Sequence, residues 1–72
     1  DAIDLVRRHL PGWRLDVIRD TTPAGALATV QRGSGMSGEW RDVWIGADGT
    51  VVWDAAVDRL GYVVGPDGRK VD

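Results

Sequence analysis

Trp40-Arg41-Asp42-Val43-Trp44-Ile45-Gly46-Ala47-Asp48-Gly49-Thr50-Val51-Val52-Trp53 is the stretch on which the fold turns. Residues 40–45 and 50–53 are rich in β-branched and aromatic side chains, which suit a pleated, half-buried surface. Between them stands Gly-Ala-Asp-Gly, and an Asp-Gly pair accepts the positive φ angles of a tight hairpin. The two runs therefore pair antiparallel. Trp40, Asp42 and Trp44 alternate onto one face of the first strand, Val43 and Ile45 onto the other. Only one of these faces can meet a helix. Either Val43 and Ile45 point into the core and Trp40 and Trp44 form an exposed aromatic stripe beside Glu39 and Arg41, or the tryptophans are themselves the core.

Upstream, the period changes. Ile3, Val6 and Leu10 recur at helical spacing with Ala2 and Leu5 beside them, and Asp1 is placed to cap the helix that starts at Ala2. Asp4 suits the positive end of its dipole, and Pro11-Gly12 stops it. Residues 13–18 then alternate, with Trp13, Leu15 and Val17 on one face and Arg14 and Asp16 toward water, the pattern of a half-buried strand. Thr21-Thr22-Pro23-Ala24-Gly25 is turn chemistry, and residues 26–31 return as a second strand in a hairpin with the first. Gly33-Ser34-Gly35-Met36-Ser37-Gly38 has no core-forming period and reads as the most flexible internal stretch.

Downstream, Asp54 is placed to cap a short helix over residues 55–60 that Gly61 ends. Residues 62–64 and 69–71 then flank a second Asp-Gly turn. This turn repeats the first at a spacing of 19, as Ile45-Gly46-Ala47-Asp48-Gly49 against Val64-Gly65-Pro66-Asp67-Gly68. Two units are too few for a solenoid array, which needs three; two hairpins obeying the same turn rules suffice as an explanation. The expected fold is one small α+β domain over residues 1–72. It has an N-terminal helix packed on an antiparallel sheet of about four strands, a short second helix and a C-terminal β-hairpin.

At 72 residues the chain has room for one modest core. With no Cys, neither disulfides nor a thiolate metal site supplement it, and the four Trp carry much of the burial. Nine Lys and Arg against eleven Asp and Glu give a net charge of −2, which offers no electrostatic reason to bind nucleic acid. No stretch approaches the ~20 apolar residues of a membrane span. The chain begins at Asp1 rather than Met, which reads as a processed or trimmed fragment and leaves the cellular location unassigned.

The chemistry-bearing residues each have a structural explanation. Gly33, Gly35 and Gly38 spell G-x-G-x-x-G, but the residues that follow read as strand, whereas a dinucleotide fingerprint opens a helix. His9 is the single histidine, so a His metal cluster is excluded and a hydrolytic triad would have to join it to Ser34 or Ser37. Neither serine stands in a strand-to-helix elbow. Asp1 and Asp54 read as caps, Asp48 and Asp67 as turn residues, and Asp16 and Asp42 as outward strand residues, with no calcium-loop run among them. No catalytic residue, metal or cofactor is assigned.

In its helix, its Pro11-Gly12 stop, its strands at residues 13–18 and around Val30, and its Val43-Trp44-Ile45 run leading through Ala47-Asp48-Gly49 to Val51-Val52, the chain resembles the PepSY domain over residues 2–53. It departs from that pattern at Val30, where a Tyr is common, and in the Gly-rich loop, which is an insertion. The resemblance implies an extracytoplasmic regulatory or inhibitory domain that acts through surfaces and brings no catalytic residues. The reading that follows is a non-catalytic protein-binding module using a sheet face or edge and the adjacent Gly-rich loop. Its expected contact residues are Met36, Glu39, Trp40, Arg41 and Trp44, residue types that favour interface centres among them. The alternatives are a carbohydrate or cell-wall binding domain with tryptophans as stacking platforms, and a structural or oligomerisation domain that self-associates through a sheet edge.

Overall fold

Asp1 and the apolar spacing after it produce the helix as expected. In the computed structural model, which describes residues 1–71, α1 spans Ala2–His9, and the Asp1 carboxylate accepts the Asp4 N–H at 2.9 Å. Eight residues are too few to hold a helix in water unaided, so burial of Ala2, Val6 and Leu10 must hold it. Ile3 is 46% exposed and does not share that face.

The helix lies on a four-stranded antiparallel sheet of order β1 (Arg14–Thr22), β2 (Gly25–Arg32), β3 (Glu39–Gly46), β4 (Val51–Trp53). Val6 and Leu10 meet Val30, Val43 and Ile45, with Leu5, Trp13, Leu15, Val51 and Trp53 around them. Val43 and Ile45 thus face the helix. Val17 does not join Trp13 and Leu15. A bulge between Leu15 and Val17 inserts a residue, and Val17 falls opposite Thr29 and is 42% exposed.

The β3–β4 turn is one residue longer than a two-residue Asp-Gly hairpin. Gly49 N–H donates to the Gly46 carbonyl at 2.9 Å and Gly46 N–H to the Thr50 carbonyl at 2.7 Å. Gly49 has φ +91°, while Asp48 stays at negative φ. This is a type I turn closed by a glycine bulge.

The expected short helix over residues 55–60 is absent. Ala56–Val57 form strand β5, paired antiparallel with β6 (Val63–Val64). Six residues could close only two helical hydrogen bonds, and Asp58 instead nucleates a turn by accepting the N–H groups of Leu60 and Tyr62 at 2.9 and 3.0 Å. Asp54 is correspondingly no cap. It sits at φ +60°, donates its N–H to the Asp42 carbonyl at 2.8 Å, and its carboxylate accepts from Arg41 Nη2 at 3.3 Å. The C-terminal hairpin is present as a single Val64–Lys70 bridge, with Val71 N–H on the Val63 carbonyl at 2.8 Å.

This small second sheet packs on the face of the large sheet that the helix leaves open. Leu27, Trp44, Ala55 and Val63 form a second buried cluster, flanked by Val52 and Val71. Trp44 is 2% exposed there. A Cβ on Gly25 would stand 2.8 Å from Trp44 Cζ2 and collide with the Ile45 carbonyl, so glycine is what lets the indole lie against β2.

Candidate interaction surface

The second sheet covers only part of its face, and the cross-strand register says which part. Leu27 stands opposite Trp44, Thr29 opposite Asp42, and Gln31 opposite Trp40, all on the face away from the helix. The Leu27–Trp44 end is buried. The Trp40 end is open, and Trp40 is 52% exposed. Its ring lies over Gly38, where a Cβ would come within 2.8 Å of Cη2.

Between the open and covered ends runs a groove of about 310 Å³, lined by Arg19, Leu27, Asp42 and residues 55–57. Its floor is apolar and its rim is a directional polar chain. Arg19 Nε donates to Thr29 Oγ1 at 3.1 Å, and the Thr29 hydroxyl donates to Asp42 Oδ1 at 2.7 Å. Thr29 is 8% exposed, and its hydroxyl, accepting on one side and donating on the other, aligns a guanidinium with a carboxylate. Arg19 keeps terminal N–H groups, and Asp42 a second oxygen, to offer a ligand. The far wall is β5. Because Asp58 N–H bonds the Tyr62 carbonyl, strand alternation turns the N–H and C=O of Val57 away from β6.

The five contact residues expected from sequence do not form one site. Trp40 is exposed beside the groove's polar end, and Met36, at the 3-10 turn Gly35–Ser37, is fully exposed. Trp44 is sealed under the second sheet. Arg41 and Glu39 occupy the opposite, helix-side face. There Arg41 lies 4.4 Å over the Trp53 ring, and Trp53 meets Trp13 at 5.2 Å. Arg32 covers Trp13 at 4.5 Å and pairs with Glu39 at 2.6 Å. This Arg-Trp-Trp-Arg stack closes the open end of the helix-side core. The Gly-rich loop is pinned as well, by Arg14 Nη2 on the Gly33 carbonyl at 2.7 Å and by Ser37 Oγ on the Ser34 carbonyl at 2.8 Å.

Arg19 and Thr29 were not singled out from sequence. The signal was there in Thr29, the one polar side chain in the otherwise apolar run of residues 25–30.

His9 and the loop serines stand at opposite ends of β3, because His9 abuts Gly49 in the turn after that strand while Ser34 and Ser37 precede it. Eight strand residues span about 26 Å, so no Ser–His pair forms. Asp48, beside His9, accepts the Thr50 N–H at 2.9 Å, and hydrogen bonds from Thr50, with a smaller contribution from His9, hold its carboxyl below the ordinary aspartate range. Among the described residues no three His, Cys, Asp or Glu side chains gather as a metal site, and no helix is long and apolar enough to cross a membrane. Comparison with known proteins gives no match to a family model, a curated protein or a solved structure.

Proposed function

We propose that this domain is a non-catalytic protein-binding module, inhibitory or regulatory in action, that engages its partner on the sheet face away from the helix. The observation that carries this reading is the half-covered face itself. An exposed Trp40 stands next to a groove with an apolar floor and an aligned Arg19–Thr29–Asp42 chain. A large aromatic anchor beside apolar area and oriented donors and acceptors is the usual make-up of an interface centre. The separation of His9 from Ser34 and Ser37 removes the reading as a Ser–His hydrolase. The resemblance of residues 2–53 to PepSY domains is part of the same proposal, and the helix followed by a four-stranded antiparallel meander agrees with it. Carbohydrate stacking is less well supported, since burial of Trp44 leaves one open ring on that face.

The test is selection of peptides from a displayed library against the folded domain, followed by affinity measurement on variants. Trp40→Ala and Asp42→Ala are each expected to weaken the selected peptides by at least about tenfold, whereas Arg69→Ala, on the far hairpin, leaves them unchanged. Equal binding to wild type and Trp40→Ala would overturn the proposal.

A further inference from the structure

The two edges of the large sheet are built differently. The β1 edge carries two bulges and four charges, Arg14, Asp16, Arg19 and Asp20, devices that prevent another strand from pairing. The β4 edge carries none of them. Its residues are Val51, Val52 and Trp53, its register with β3 is unbroken, and each is half-buried.

The hydrogen-bond phase of β4 is fixed at both ends. Gly46 N–H bonds the Thr50 carbonyl, and Asp54 N–H bonds the Asp42 carbonyl. In an antiparallel pair the bonded positions alternate, so Val52 bonds Trp44 while Val51 and Trp53 turn their N–H and C=O groups to the outer edge. Among the described residues, no turn, loop or side-chain hydrogen bond takes those four groups up.

We propose that β4 pairs with β4 of a second copy of this chain, joining two four-stranded sheets into one of eight strands. The edge is self-complementary. A twofold axis perpendicular to the sheet at Val52 sets each outward N–H of one copy against an outward C=O of the other, Val51 against Trp53 and Trp53 against Val51. Four interchain hydrogen bonds form and no outward group is left over. The same axis keeps both helices on one side of the joined sheet. On the other side it brings Val52 directly opposite its counterpart at a non-bonded position, where cross-strand side chains approach most closely. The three residues carry no charge, so the copies meet without like-charge repulsion. A second copy presents the same uncharged edge in the same phase, and because the twofold contact uses up both β4 edges while the bulged, charged β1 edges stay unpaired, the pair closes on itself, which is why a second copy is the occupant.

Sedimentation equilibrium from micromolar to millimolar protein, with residue-resolved amide exchange at both extremes, tests this. Association is expected on concentration, with the Val51 and Trp53 amides becoming protected while the Val52 amide, already bonded to Trp44, is protected throughout. Val51→Pro removes an N–H used only between copies, at an edge position that tolerates proline. Loss of two donors per dimer is expected to raise the dissociation constant about thirtyfold. Val51→Thr keeps the donor and should dimerise like wild type, and the helix signal and Trp fluorescence of both variants report that each still folds. A chain that stays monomeric at millimolar concentration overturns the proposal. So does a dimer whose Val51 and Trp53 amides stay unprotected, or a folded Val51→Pro that associates as wild type does.

Discussion

Trp40 and Trp44 share a strand, a face and a residue type, and differ in exposure by 52% against 2%. Their substitution is therefore expected to separate stability from binding. Trp44→Ala removes a fully packed indole from the second cluster, where its unpartnered N–H adds nothing to offset the loss, and should cost about 3–5 kcal/mol in urea unfolding. Trp40→Ala should cost under about 1 kcal/mol while abolishing most of the acrylamide-accessible fluorescence of that face. Comparable destabilisation by the two would contradict the burial described above. At Asp48 the relevant variable is pH. Its carboxyl is held below the ordinary value in the folded chain, so the stabilisation it gives is complete above about pH 4 and is lost as pH falls through the lowered folded value. Asp48→Asn should accordingly lower Tm at neutral pH and differ progressively less from wild type as the pH is taken below about 4. A Tm difference independent of pH would show that the charge contributes nothing.

Among the elements, turns are the organising unit. The hydrogen-bond pattern of residues 46–50 recurs at 58–62 and 65–69, each with a glycine at its fourth position, Gly49, Gly61 and Gly68, at φ +91°, +89° and +80°. Asp58 holds the middle turn with two amides, where Asp48 and Asp67 each hold one. Asp58→Ala is expected to destabilise by about 1–2 kcal/mol and to speed exchange at Leu60 and Tyr62 before any amide of β2 or β3 responds. Exchange rising evenly over the whole chain would instead mark Asp58 as part of one cooperative unit. The helix, the hairpins and the Asp-Gly turns were legible in the sequence because each is specified within a few residues. Asp1 reaches only to Asp4, and the glycine turns close on themselves. What was illegible depends on distant partners. The bulge beside Asp16 has no local signature, and Ala56–Val57 became strand rather than helix because Val63 and Val64 were there to pair with them. The tryptophan question, posed as core or surface, assumed a sheet with one covered face. A third layer gives Trp44 one answer and Trp40 the other, and the candidate groove exists only because that layer stops at Asp42.

At the level of the whole molecule, the second sheet decides whether the first can stand. The chain through Trp53 contains the helix, all four strands of the large sheet and every residue of the helix-side cluster. By count of elements it should be a complete two-layer domain. The burial argues otherwise. Leu27 and Trp44, at 3% and 2% exposed, are covered by Ala55, Val63, Val52 and Val71, and all but Val52 lie beyond residue 53. Uncovering two large apolar side chains costs about 1.5–3 kcal/mol each, and loss of the Ala55 and Val63 contacts adds to it. A domain of this size has about 4–11 kcal/mol in all, so the deficit consumes much or all of it. A chain cut after Trp53 is therefore expected to lose its cooperative thermal transition, shift its Trp emission to the red and associate through the exposed Leu27–Trp44 face. Replacing Leu27 and Trp44 by Thr in that shortened chain should suppress the association, because it converts a stripped inner face into an outer one. A shortened chain that unfolds cooperatively, with Trp44 still shielded, would show that the small sheet is an appendage and that the large sheet carries its own stability.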